Sequence, residues 1–297
     1  MLSLIVNPSS GGGRAGRSLG TVRAALGRHG LEHHVELTLD LVHARELAAA
    51  AAAAGETPVA FGGDGLVAAV ASAVIETDAA IGVLPGGRGN DFARCLGLPL
   101  DPVAATAVLA DGEVTSVDMG AAGDRTFLGI ATCGFDSEAN QIANSARLIR
   151  GRFVYTYGAL RALAGWKPAS FKLRVDGVEH ALYGYTVAVA NAAMHGGGML
   201  LAPEASLSDG QFDVVMIADM PKTRFLRLLP TVFKGTHVEL DEVTILRGST
   251  IEISSDRPFT LYADGDPLAV PPATLRVLPA AVRVLAGAGA ATTRTAQ

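Results

Sequence analysis

The chain has 297 residues, 49% of them hydrophobic and 18% charged, which is enough apolar material for one large core or two ordinary ones and excludes general disorder. Its net charge of -5 argues against DNA or RNA as a partner. Two cysteines, Cys95 and Cys133, fit no metal spacing and sit in apolar stretches, so reduced, buried thiols are expected in place of a disulfide framework.

The first apolar run, 2–6, reads as a buried strand that stops at Asn7-Pro8 and lacks a basic flank, so neither a signal peptide nor a membrane span is expected. A cytoplasmic location follows, with any membrane contact peripheral at the inner face. A turn over 7–13 leads to a helix over 14–27 closed by glycine. A strand over 33–37 and an alanine-rich helix over 42–54, closed by Gly55, come next. The alternation continues with a strand over 58–61, a helix over 66–75, a strand over 81–84 and helices over 91–96 and 102–109. It predicts a doubly wound parallel α/β domain over residues 1–118, with its ligand loops at the C-terminal ends of the strands.

Past residue 118 the texture turns strand-rich. Asp176-Gly177 between alternating runs marks a hairpin. Further strands are expected over 183–190, 212–217, 243–246, 250–253, 259–262 and 274–278, with helices over 137–148 and 223–233. These predict a mainly antiparallel, β-rich domain over 119–286, its last strand packing back on the first domain, and a frayed polar tail over 287–297.

Two glycine-rich turns carry the chemistry: Phe61-Gly62-Gly63-Asp64-Gly65 and Pro85-Gly86-Gly87-Arg88-Gly89-Asn90-Asp91. Each follows an apolar strand and precedes a helix, where parallel sheets place phosphate-binding loops. Glycine lets phosphate oxygens approach backbone N–H groups, and Asp64 is placed to accept from a hydroxyl or reach a metal. A tight turn with Asp64 as a helix N-cap is the plainer alternative.

Further segments appear in a fixed order. They are Val6-Asn7-Pro8-Ser9-Ser10-Gly11, Thr38 before His43-Ala44, Leu84 through Arg94, Gly196-Gly197-Gly198, Pro203-Glu204-Ala205, Asp209 through Val214, and Asp264-Gly265-Asp266. With this set the chain resembles, over nearly its whole length, the soluble bacterial lipid kinases of the diacylglycerol kinase catalytic family, which includes sphingosine kinases. The resemblance implies an N-terminal domain of the NAD kinase and phosphofructokinase class. It implies ATP held by Asn7, Pro8, Ser9, Ser10, Gly11, Thr38, Gly62, Gly63, Asp64, Gly65, Leu66, Gly87, Arg88, Asn90 and Asp91. It also implies Mg²⁺ at Ser206, Asp209 and Gln211, held largely by backbone oxygens and one carboxylate. Asp64, Asp264 and Asp266 are the implied catalytic residues. Asp266 stands where the family usually has a Glu that takes the proton from the lipid hydroxyl; otherwise the Asp264-Gly265-Asp266 segment is a turn with two solvated acids.

The chain departs from that pattern at Leu66, Ala68 and Ala69, where the family usually has Thr, Asn and Glu, and at Arg88, where it usually has Thr. Arg88 either contacts phosphate oxygens or pairs with Asp91 or Asp64. The leading function is an ATP-dependent lipid kinase acting on a hydroxyl of diacylglycerol or a related lipid. A nucleotide- or lipid-binding regulator with a decayed site and, less favoured, an NAD kinase remain open. Cationic and aromatic residues over 150–172 and 222–234 suit docking at an anionic bilayer, or else helices with one core face. His195 reads as structural. The expected partners are ATP, a lipid at a membrane surface and, as an option, a second copy of the chain.

Overall fold

The computed structural model describes residues 1–145 and 153–287. In its N-terminal domain, β1 (Leu2–Val6), β2 (His33–Leu37), β3 (Thr57–Gly62) and β4 (Ala80–Pro85) pair in parallel in the order β4-β3-β1-β2. The crossovers are α1 (Ser10–Arg28), α2 (Leu41–Ala53) and α3 (Asp64–Ser72), while α4 (Asp91–Cys95) and α5 (Pro102–Asp111) follow β4. Helices cover both faces, so β1, β3 and β4 are almost continuously buried and apolar. α2 packs through Ala44, Ala48 and Ala51, whose small side chains allow close approach to the sheet.

The regular part of α1 starts where expected, and the limits of α3 differ from expectation. The hydrogen bonding of α1 begins at Ser10, but Gly11, Gly12 and Gly13 have φ of 61°, 70° and 85°, so the first turn is a left-handed glycine loop and regular helix starts at Arg14. α3 spans Asp64–Ser72 instead of 66–75, because extended Gly63 starts the helix at once and past Ser72 the Ala73 and Val74 N–H groups bond three residues back, to the carbonyls of Val70 and Ala71, in tight turns.

The C-terminal domain begins with β5 (Glu113–Ala122), β6 (Arg125–Phe127) and β7 (Ile130–Gly134), then α6 (Phe135–Ser145) and α7 (Phe153–Gly165). A meander follows of β8 (Ala169–Val175), β9 (Val178–Ala190), the short β10 (Met194–His195) and β11 (Met199–Leu200), and β12 (Phe212–Ala218). After α8 (Lys222–Val232) come β13 (Val243–Gly248), β14 (Thr250–Ser255), β15 (Leu261–Ala263), β16 (Asp266–Ala269) and β17 (Ala273–Ala286). The expected helix over 137–148 is α6 as far as Ser145. Its last residues, Arg150, Arg152 and the tail beyond 287 lie outside the described residues.

The strand expected over 274–278 is the first part of the 14-residue β17. β17 pairs antiparallel with β14 and β5, and then in parallel with β4 at Arg283 and Val284, so one strand joins the two domains. Its register shifts between Leu278 and Val282, around Ala280 with φ of 50°.

Aromatic packing anchors the second core. Tyr185 stacks on Phe225 of α8 with ring centroids 4.1 Å apart, and Phe135 meets Phe225 edge-on at 4.9 Å. Among the described residues no helix is long and apolar enough to cross a membrane.

Candidate active site

Three loops at the C-terminal ends of β1, β3 and β4 meet through their glycines. The Gly86 N–H donates to the Gly62 carbonyl at 2.7 Å. A Cβ on Gly87 would collide with the Gly63 Cα, and one on Gly11 would strike the Gly86 carbonyl. Side chains are thus excluded from the strip where the backbones of the three loops crowd together, a cradle suited to phosphate oxygens.

The sequence-predicted nucleotide residues divide by role. Asn7 Oδ1 accepts the Ser9 N–H at 3.0 Å, and the Asn7 N–H donates to Phe61, so Asn7 shapes the loop that carries Ser9 and Ser10. Pro8 packs beneath α1 against Gly16, and Ser10 Oγ lies 3.1 Å from where a Gly62 Cβ would be. Thr38 is buried at the end of β2, its N–H donating to Val6. Asn90 is also buried. Its Oδ1 accepts the Gly87 N–H at 2.8 Å and its Nδ2 donates to the Gly87 carbonyl at 3.2 Å, locking the second loop. Arg88 is exposed and makes no ion pair with Asp64 or Asp91.

Asp91 reaches across to the C-terminal domain. Its carboxylate accepts N–H groups from Gly197, at 2.9 and 3.1 Å, and Gly198, at 2.7 Å. Asp64 starts α3, yet its Oδ1 accepts the Phe92 N–H of α4 at 3.0 Å, so it caps the neighbouring helix. Burial raises its carboxyl, against the Phe92 bond and with the Asp91 charge.

The strand end at Ala263 brings the catalytic candidates to these loops. Asp264 turns with φ of 52° and accepts N–H groups from Leu128 at 2.8 Å and Gly129 at 3.0 Å. Burial pushes its carboxyl up to about 7, the two N–H bonds opposing and the Asp64 and Asp266 charges adding. A Cβ on Gly65 would lie 3.4 Å from the Asp264 carbonyl and 3.5 Å from Asp266 Oδ2, which sets both acids against the first glycine-rich loop. Burial raises Asp266 as well, while Arg45 and Arg125 pull it down.

Leu66 folds over the Gly62 Cα, and Ala68 and Ala69 lie in the apolar core of the first domain. The departures from the family pattern at 68 and 69 therefore fill core space on α3.

The expected Mg²⁺ site finds its carboxylate already engaged. Asp209 is ion-paired with Arg247, and its Oδ1 accepts the Gln211 N–H at 3.1 Å. Ser206 Oγ accepts the Ser208 N–H at 3.3 Å. The β12–β13 register sets Arg247 directly opposite Asp213, whose Oδ1 it meets at 3.2 Å, so one guanidinium neutralises both acids. A donor set whose one carboxylate already carries a cation does not fit a divalent metal. Among the described residues no group of three or more His, Cys, Asp or Glu could hold one.

Two residues that the sequence does not single out organise the site. Buried Asp118 accepts the N–H groups of Gly210 and Ala280, both at 2.7 Å, fixing the 206–211 loop and the β17 bulge. Asn191 donates to the carbonyls of Asp118 at 2.9 Å and Leu128 at 2.8 Å, and so braces the segment whose N–H groups hold Asp264. The only local signal for either is a polar residue inside an apolar run.

His195 borders a cavity of about 50 Å³, lined chiefly by apolar residues including Phe135, Met199, Phe225, Leu228 and Leu229, with Asp136, Thr186, His195 and His237 as polar members. Burial raises the Asp136 carboxyl, while the His195 charge and the Thr186 hydroxyl pull it down.

Comparison with known proteins finds a family match in each half of the chain. Residues 1–122 match the diacylglycerol kinase catalytic domain, and residues 129–286 match the YegS C-terminal NAD kinase beta sandwich-like domain. The chain is 38% identical over 292 residues to a diacylglycerol kinase of Mycobacterium tuberculosis (strain ATCC 25618 / H37Rv), covering 96% of this chain and 94% of that one. It is 31% identical over 259 residues to a Pseudomonas putida protein named "Probable lipid kinase YegS-like", covering 86% and 85%. A crystal structure of a diacylglycerol kinase from Bacillus anthracis str. Sterne superposes with a TM-score of 0.77 over 97% of both chains at 20% identity, a likeness of fold.

Proposed function

Since this chain belongs to the bacterial family of diacylglycerol kinases and YegS-like lipid kinases, and is a lipid kinase-like phosphotransferase, we propose that it transfers the γ-phosphoryl group of Mg²⁺-bound ATP to a hydroxyl of diacylglycerol or a related lipid. The observation that carries this reading is the approach of Asp264 and Asp266, from the second domain, to Gly65 in the first glycine-rich loop. Such transfer depends on positioning and charge neutralisation more than on covalent chemistry.

The loop N–H groups around Gly63 and Gly87 receive phosphate oxygens, and exposed Arg88 supplies a planar charge beside them. The Asp266 carboxylate accepts the proton of the lipid hydroxyl as its oxygen bonds the γ-phosphorus and the bond to the β-phosphate oxygen breaks. Asp264, held by two backbone N–H groups, fixes the turn that aims Asp266. Magnesium enters with ATP as part of the substrate. The apolar cavity beside His195 receives the start of an acyl chain. At about 50 Å³ it is smaller than an acyl chain, so α8 or its neighbours shift as the chain enters.

The regulator reading draws on the departures at Leu66, Ala68 and Ala69, but Ala68 and Ala69 are core residues, which weakens it. The test offers purified protein, Mg²⁺ and radiolabelled ATP a panel of lipids and NAD. Label in the organic extract supports the proposal, with Asp266→Asn about 10²-fold slower at unchanged ATP affinity. Label on NAD, or on no acceptor at all, contradicts it.

A further inference from the structure

α8 presents two unlike surfaces. Phe225, Leu228 and Val232 are buried and, with Leu229, line the cavity beside His195. At about 100° per residue, Leu226, Pro230 and Phe233 fall along the adjoining flank. There Leu226 is 40% and Phe233 54% exposed. An ordinary surface helix keeps such positions polar.

The charge on the helix has one sign. α8 contains no Asp or Glu. Arg224 is held by Glu242 at 2.8 Å, and Lys222 donates to the Ala164 carbonyl at 2.9 Å, tying α8 to the end of α7. Arg227 and Lys234 are exposed, with no ion pair among the described residues. Unpaired cations beside an exposed apolar stripe complement both layers of an anionic bilayer: phosphates attract the cations, and the acyl boundary receives the apolar side chains.

We propose that α8 is the membrane-docking element, laying its Leu226, Pro230 and Phe233 flank on an anionic lipid surface so that the cavity on its neighbouring face opens toward lipid. The purpose of this docking, and the turnover measured below, rest on the lipid kinase reading; the vesicle-binding measurement does not.

The experiment is co-sedimentation of the full chain with vesicles of phosphatidylcholine, alone or mixed with phosphatidylglycerol, across a salt series. The parent is expected to pellet with the mixed vesicles and less so as salt rises. Leu226→Glu combined with Phe233→Glu should weaken binding about tenfold or more at an unchanged thermal midpoint, because both sites are exposed. Arg227→Gln combined with Lys234→Gln should weaken it about fivefold per charge and flatten the salt dependence. Turnover on dispersed short-chain diacylglycerol should stay at the parental level in both double variants, while turnover on vesicles falls. The proposal is overturned if the parent ignores anionic vesicles, if neither double variant alters binding, or if the glutamates instead dissociate a dimer of this chain. Failure of the lipid kinase reading looks different: no label on dispersed lipid from any variant, with vesicle binding intact.

Discussion

Asp91 Oδ1 accepts the Gly198 N–H at 2.7 Å, a bond from the second glycine-rich loop to the C-terminal domain. The same carboxylate holds the Gly197 N–H, so Asp91 fastens the domains while its backbone stays in the phosphate loop. Asp91→Ala should lower stability by about 1–2 kcal/mol, the range for charge-assisted bonds discounted for partial exposure. Asp91→Asn, which keeps one acceptor oxygen, should lose less. Urea unfolding of the three proteins checks this, and equal midpoints would contradict the fastening role.

The contact between the glycine-rich loops has its own test. Gly63 has φ of -95° and ψ of -178°, which any residue adopts, so a substitution there acts through space alone. Its Cβ would lie 3.3 Å from the Gly87 Cα, whereas a Cβ on Gly87 would collide with Gly63 outright. Gly87→Ala should therefore weaken ATP binding more than Gly63→Ala, and Gly63→Val should approach the Gly87→Ala loss. Calorimetric titration of folded variants reads the order; ATP binding at parental strength in all of them would remove the loops from the site.

Much of this was legible in the sequence, for a physical reason. Buried parallel strands must be short apolar runs, and the turns that follow them must be glycine where backbones touch, so β1, β3, β4 and both loops announce themselves locally. β5 was not legible as one strand. Its polar first half pairs only with β17, from the far end of the chain, and a division at residue 118 falls inside it. Arg247 escaped for the same reason, since its partnership with Asp213 and Asp209 is created by β12–β13 register. Asp118 and Asn191 look like isolated polar residues until the fold brings Gly210, Ala280 and Leu128 to them.

Because Arg247 already neutralises Asp209 and Asp213, the thermal midpoint of the free protein should not fall when EDTA removes divalent ions. Arg247→Met should cost about 2–3 kcal/mol, below the usual loss for a broken buried pair because the guanidinium is half exposed while the Asp213 side chain is 3% exposed. Mg²⁺ should then restore part of that loss in the Met variant alone. A parental midpoint that drops in EDTA would show that a metal and not Arg247 neutralises these acids.

Arg88 is exposed beside the phosphate loop, with no carboxylate partner among the described residues. Arg88→Ala should leave the thermal midpoint unchanged and reduce ATP affinity by about 1.5–3 kcal/mol, the range for hydrogen bonds to charged groups. Arg88→Lys should recover part of it, lacking the planar fork. Unchanged affinity in both variants would take Arg88 out of nucleotide binding.

The last expectation concerns pH. Burial raises the Asp264 carboxyl to about 7, above the roughly 3.9 of an unfolded aspartate. A raised acid favours the protonated form in the folded state, so its contribution to stability is complete below about pH 4 and is lost as pH climbs through about 7. Asp64 and Asp266 shift in the same direction and supply a background slope of the same sign. Asp264→Asn, neutral at every pH, should keep that background and lose the Asp264 part. Its unfolding free energy should therefore decline less steeply than the parent's between pH 5 and pH 8, even if its absolute stability is lower because an amide oxygen satisfies the Leu128 and Gly129 N–H groups less well. Urea unfolding at intervals across that window gives both slopes. Parallel curves would mean that Asp264 titrates as an ordinary carboxylate, with its two N–H bonds outweighing burial.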